Sequence, residues 1–74
     1  MKLQELTLGK DAEIEEISLD KTLTERLATL GIKPQSRIHL LQKKKDGTVI
    51  LKVCGVRFAI GGGMTDKIEV RVYE

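Results

Sequence analysis

Residues 37–60 read RIHLLQKKKDGTVILKVCGVRFAI, and the fold turns on how this stretch pairs with itself. Three runs, 37 to 44, 48 to 53 and 56 to 61, have the alternation and β-branched content of strands. Asp46-Gly47 and Cys54-Gly55 separate them, and each pair suits a two-residue hairpin turn. A turn at Cys54-Gly55 sets Val53 opposite Val56, Leu51 opposite Phe58 and Val49 opposite Ile60, so one face of two strands is apolar throughout. Carrying the pairing through Asp46-Gly47 places Leu40 beside Val53 and Ile38 on the same face, with Gln42 and Lys44 at its wetter end. The expected core face is therefore Ile38, Leu40, Val49, Leu51, Val53, Val56, Phe58 and Ile60. The opposite face carries Leu41, Ile50 and Ala59 beside Lys43, Lys52 and Arg57, with His39 also on that side.

Downstream of this meander, Ile68, Val70 and Val72 alternate within Lys67 to Tyr73 and predict a closing strand. Upstream, Ala12 and Ile14 share one parity while Ile17 and Leu19 share the other, which predicts a bulge or sharp bend around Glu15-Glu16. Between these elements Thr22-Leu23-Thr24-Glu25 reads as a capping box that opens a helix with Leu23, Leu27 and Leu30 on one face. Gly31 stops it and Pro34 forbids its resumption, so the helix has about two turns and must lie on something larger. Five short strands and so small a helix cannot form two full sheets. The expected fold is mainly β, a small SH3-like barrel of about five strands with a short helix after the first strand, in one domain over 1–74.

The chain has 74 residues, 41% of them hydrophobic, which excludes both a disordered segment and a two-lobed enzyme. A domain of this size buries about 60% of its unfolded surface, leaving little stability for strained catalytic groups, so a binding module is favoured. Its single cysteine cannot form an internal disulfide, and a reducing cytoplasm fits. The first twenty residues carry a charge every few positions and hold neither a signal peptide nor a membrane span. Charge is unevenly spread: residues 37 to 57 contain six basic groups and one acidic, whereas both flanks are net negative.

Few residues invite chemistry. Gly61-Gly62-Gly63 lacks both the Lys-Ser/Thr of a phosphate loop and the GxGxxG spacing, and reads as a flexible turn. His39 and Cys54 do not form a ligand motif, so no metal site and no cofactor are expected. Glu13, Glu15 and Glu16 read as a solvated strand edge rather than acid–base machinery, and no enzyme activity is expected. The cluster Lys43-Lys44-Lys45 with Arg37, Lys52 and Arg57 could meet phosphates, which keeps a small nucleic-acid-binding barrel as the alternative reading. Phe58 is assigned to the core and Tyr73 is nearly terminal, however, so no stacking platform supports it. Part of the lysine excess also serves to guard a hairpin edge. The stripe Leu41, Ile50 and Ala59, rimmed by Lys52 and Arg57, is the candidate partner-binding surface. Either the helix or the segment Leu3-Leu6-Leu8 could instead cover it, and the sequence leaves both arrangements open.

Arg26-Leu27, Leu30-Gly31-Ile32 and Pro34, then the basic meander, a turn glycine before Val56, Ala59-Ile60 and Ile68-Glu69-Val70, resemble the FeoA family over roughly residues 5 to 73. The resemblance implies a small cytoplasmic SH3-like protein that accompanies the FeoB-type membrane GTPase transporter of bacterial ferrous-iron uptake as a regulator or scaffold. On that reading it reaches the inner face of the membrane only through its partner, and self-association stays open. The same pattern occurs as the C-terminal domain of iron-dependent repressors of the DtxR type, although Met1 fits a free-standing protein. Two departures stand out. The family usually has Pro-Gly where this chain has Pro34-Gln35. Before the last strand, Gly61-Gly62-Gly63-Met64-Thr65 replaces the usual apolar residue, glycine or arginine, charged residues and Leu-Ala pair.

Overall fold

A computed structural model describes residues 1–73, and the strand on which its sheet is assembled is β1 (Asp11–Ile17). This strand pairs antiparallel with β2 (Arg37–Lys43) on one side and with β5 (Ile68–Val72) on the other. Then β3 (Val49–Val53) and β4 (Val56–Ile60) extend the sheet in the order β4-β3-β2-β1-β5. Ala12 faces Ile38 and Val72, and Ile14 faces Val70. The register then slips, so that Ile17 meets Ile68 and three residues of β1 span two of β5. This bulge at Glu15 is the parity break seen in the sequence, and it turns Ile17 toward the same core as Ile14.

The β3–β4 hairpin has the expected register, from Val49 opposite Ile60 to Val53 opposite Val56. Cys54 and Gly55 have φ of +52° and +81°, the paired positive values of a type I′ turn. The core assignment fails in part on β4. Val56 is 53% exposed and Phe58 only partly buried, because β4 is an edge strand and Val56 sits next to the turn.

The β2–β3 connection corrects the two-residue turn expected at Asp46-Gly47. Lys44 N donates to Thr48 O at 2.8 Å and Gly47 N to Lys44 O at 3.1 Å, leaving a three-residue loop with Gly47 at φ +91°. Asp46 accepts from Thr48 N at 2.9 Å within it. Lys43 then faces Val49 and Gln42 faces Ile50, after which Leu41 is the extra residue of a bulge and Leu40 faces Leu51 rather than Val53. The two one-residue shifts add to two, so Ile38 and Leu40 stay on the core face, while Gln42 moves to the outer face and Lys43 leaves it.

The helix α1 (Lys21–Thr29) begins two residues earlier than a Thr22 cap requires. Asp20 is its N-cap and accepts from Leu23 N at 2.8 Å, since an aspartate just upstream offers the same acceptor. Leu27 is buried and Leu23 partly so, but Leu30 is half exposed at the C-cap. After the reversal at Gly31 the buried Ile32 takes the inward place, its N–H donating to Leu27 O at 2.8 Å. Pro34-Gln35 then forms a type II turn closed by Ser36 N to Lys33 O at 3.0 Å, with Gln35 at φ +76°, a conformation glycine adopts more easily.

Gly61 to Gly63 do not form a flexible turn. They open a one-turn helix α2 (Gly62–Thr65) docked on the β2–β3 loop. A Cβ on Gly62 would lie 2.2 Å from Asp46 O, so only glycine permits this approach. The buried Thr65 hydroxyl donates to Gly47 O at 3.0 Å and lies 3.3 Å from Gln4 Oε1. That glutamine belongs to a 3₁₀ turn, Leu3–Glu5, which sends Leu3 into the core, and Leu6 follows it there. Met1 and Lys2 lie along β5, Val70 N donating to Met1 O at 2.7 Å and Lys2 bridging Glu69. Among the described residues no helix is long and apolar enough to cross a membrane.

Two pairs of substitutions test this packing by thermal or chemical unfolding. Leu27→Ala should cost about 2–4 kcal/mol and Leu30→Ala less than about 0.5 kcal/mol. Gly62→Ala should destabilise by about 1–3 kcal/mol as Asp46 is pushed away, whereas Gly63→Ala, with open space at its Cβ, should be neutral or stabilising by up to about 1 kcal/mol.

Candidate functional site

The residues of the sheet that alternate with the core form cross-strand rows on the outer face. One row runs Asp11, His39, Lys52, Arg57 across β1, β2, β3 and β4. Beside it runs Gln42, Ile50, Ala59. The structure therefore brings four of the five candidate residues together: Lys52 against Arg57 and, in the next row, Ile50 against Ala59. Leu41 falls between rows because of the bulge and is 37% exposed. Lys52, Arg57 and Ala59 are exposed and Ile50 is half-buried. Leu3, Leu6 and Leu27 belong to the core cluster with Ile38 and Leu40, on the other side of the sheet, so none of them covers this face.

Toward β1 and β5 the same face carries a polar network that sequence reasoning missed. Asp11 receives His39 Nδ1 at 2.5 Å on one oxygen and Arg37 Nη2 at 2.9 Å on the other. The Arg37 guanidinium lies 4.5 Å over the centre of the Tyr73 ring. Tyr73 donates its hydroxyl to Glu13 at 2.9 Å, and Arg71 reaches the other Glu13 oxygen at 3.2 Å. The hydrogen bond from His39, and then that from Arg37, holds the Asp11 carboxyl below the usual aspartate range. The bond to Glu13 raises the Tyr73 hydroxyl above the usual tyrosine value. Glu13 is thus a tied residue rather than a member of a solvated acidic edge, while Glu15 and Glu16 are exposed. The available signal was the parity of Asp11 and Glu13, opposite to Ala12 and Ile14, which puts both carboxylates on the face of Arg37, His39, Arg71 and Tyr73 once β1 is placed between β2 and β5.

This network sorts the basic residues. Arg37 and His39 are committed to Asp11, whereas among the described residues no carboxylate pairs with Lys52 or Arg57. A shallow depression of about 400 Å³ between Arg37, His39, Lys52 and Cys54 marks the boundary between committed and uncommitted charge. Cys54 is exposed at the hairpin tip, and among the described residues no three His, Cys, Asp or Glu side chains converge. What the arrangement offers chemically is an apolar patch with a cationic border.

The FeoA domain family matches residues 1–72 of the chain. No curated protein matches it. A crystal structure of an iron uptake regulatory protein, FeoA, is 30% identical with a TM-score of 0.88, covering 99% of this chain and 97% of its own. FeoA of Stenotrophomonas maltophilia, in complex with zinc, is 24% identical with a TM-score of 0.78, covering 96% of this chain and 89% of its own. It is described as a prokaryotic SH3 domain protein and a candidate activating factor for bacterial ferrous iron transport. A manganese-dependent transcriptional repressor shares the fold at 21% identity and a TM-score of 0.87, but only 36% of its chain is covered.

The Asp11 network predicts a pH response. Because the folded state favours ionised Asp11, its contribution is present above the ordinary aspartate pKa of about 3.9 and is lost as pH falls through the lower folded value. Melting temperature followed from neutral pH down to about pH 2 should therefore fall less steeply in Asp11→Asn than in the parent chain. A residual slope should remain from Asp46, whose carboxyl is also lowered by its bonds to Thr48. Identical slopes would show that the His39–Asp11–Arg37 contacts do not persist in solution.

Proposed function

This chain belongs to the FeoA family, and from that premise we propose that it is a non-enzymatic accessory protein of ferrous-iron uptake that docks on the cytoplasmic part of a FeoB-type membrane GTPase. The observation that carries the reading is the family match across 1–72, joined to an uncovered sheet face with its own charge pattern. Leu41, Ile50 and Ala59 form the apolar centre and contribute affinity. Lys52 and Arg57 border them, and being exposed and uncommitted they contribute mainly on-rate and orientation toward an acidic, partly apolar surface. A cytoplasmic location agrees with the single exposed thiol of Cys54.

The nucleic-acid reading uses the same cations and ranks second. Tyr73 lies under Arg37 and Phe58 is partly buried, which leaves bases without a stacking surface. The likeness to repressors concerns the fold and about a third of their length.

Capture of the chain by purified FeoB cytoplasmic domains, set beside salt-titrated DNA and RNA binding, separates the two readings. FeoB capture is expected, and steeply salt-dependent nucleic-acid binding without it would reverse them. Leu41→Glu should fold with a stability change within about 2 kcal/mol, since Leu41 is 37% exposed at the bulge rather than in the core, and lose capture. Arg57→Glu should weaken capture most at low salt. Normal capture by a folded Leu41→Glu would move the docking surface elsewhere.

A further inference from the structure

The two edges of the sheet are treated differently. Along β5 the edge is occupied, since Met1 and Lys2 pair with Val70 and Glu69. At the other end β4 is terminal, and among the described residues nothing pairs with its outer side. The type I′ turn makes Val53 and Val56 the hydrogen-bonded pair beside the loop. Alternation then directs the N–H and C=O of Val56, Phe58 and Ile60 toward β3, and those of Arg57 and Ala59 toward solvent.

Proteins usually blunt such an edge with proline, a bulge, inward-pointing charge or a covering loop. Here β4 contains no proline and its register with β3 has no bulge. Its only charge, Arg57, lies on the outer face beside Lys52, and its inner side ends in the half-exposed Val56. The edge is a five-residue template with a cation at one place and apolar side chains on either side of it.

We propose that the open edge of β4 accepts an extended acidic segment of a protein partner as a sixth, antiparallel strand. The outward N–H and C=O of Arg57 and Ala59 supply the backbone pairing. A carboxylate on the incoming strand sits opposite Arg57 and within the field of Lys52, and apolar residues on the alternate positions cover Val56 and Phe58. Charge selects this occupant over a second copy of the chain. Residues 37 to 57 carry six basic groups against one acidic, so edge-to-edge self-pairing brings like charge to like. The inference rests on the reading that this side of the sheet meets a protein partner, and it assigns the contact to the backbone edge.

The test is residue-resolved amide hydrogen exchange on the full chain with a capped peptide of alternating Glu and Val, compared with its Lys-for-Glu counterpart. The acidic peptide should slow exchange at Arg57 and Ala59 by about tenfold or more, with little change at Phe58, which is already paired. Ala59→Pro removes an outward donor and leaves the β3–β4 ladder intact, so it should fold and lose this protection. If that variant does not fold, Arg57→Glu serves instead, and should lose the acidic peptide and admit the basic one. Equal protection by both peptides, or protection that grows with protein concentration alone, would overturn the acidic occupant, the latter in favour of a second copy. Peptide binding without slowed exchange at Arg57 and Ala59 would overturn strand addition. FeoB capture that survives Ala59→Pro but not Leu41→Glu would do the same while leaving the docking face intact. Failure of FeoB capture by the parent chain would instead count against the proposed function, independently of the peptide result.

Discussion

One extra residue in β1 governs the rest of the molecule. β1 joins the meander to the last strand, and the bulge at Glu15 lets Ile14 and Ile17 face the core together although they are three residues apart. Without it Ile17 would point to solvent and β5 would pair over a shorter length. In a domain this small, each aliphatic side chain brought to the core is a large share of net stability, so the bulge contributes to stability through Ile17, which packs partly buried against the core. The outward residues of the same strand, Asp11 and Glu13, then tie β2 to β5 through Arg37, His39, Arg71 and Tyr73. Inward and outward faces of β1 thus hold the same three strands by different physics.

A second closure works at the opposite end. Gly62 admits α2 to the backbone of Asp46, and Thr65 links the β2–β3 loop to the N-terminal turn whose Leu3 fills the core. These contacts spend the N-terminal segment on the inner side and on the edge of β5. None of them reaches the outer face of β3 and β4, which is why the uncommitted cations, the exposed apolar residues and the open backbone edge coincide there.

Features carried by neighbouring residues were legible in the sequence. Cys54-Gly55 and the alternation around it yield the β3–β4 register directly, and the parity break between Ile14 and Ile17 reveals the bulge. Asp46-Gly47 misleads because the same dipeptide serves a two-residue turn and a three-residue loop with glycine last. The bulge at Leu41 restores the parity of Leu40 and Ile38 after the three-residue loop, which itself moves Lys43 off the candidate face. Thr22-Leu23-Thr24-Glu25 misleads in the same way: Asp20, two residues upstream, accepts from Leu23 N and caps the helix instead. The docking of Gly62, the burial of Thr65 and the Asp11 network depend on segments distant in the chain, so no local pattern exposes them. Val56 is a case of position overriding pattern: its partner Val53 is buried, but an edge strand leaves Val56 half open.

On the proposed function the partner approaches the β3–β4 side of the sheet. Cys54 is the only thiol and is exposed at the tip of that hairpin, so it accepts a spin label without any substitution. Paramagnetic broadening in a complex of the labelled chain with an isotopically labelled FeoB cytoplasmic domain reads proximity to this point. Broadening of a contiguous acidic surface on the bound domain is expected, reversed when the label is reduced. A complex of unchanged affinity in which no signal of the bound domain broadens would place the contact on the far side of the sheet, away from Lys52 and Arg57.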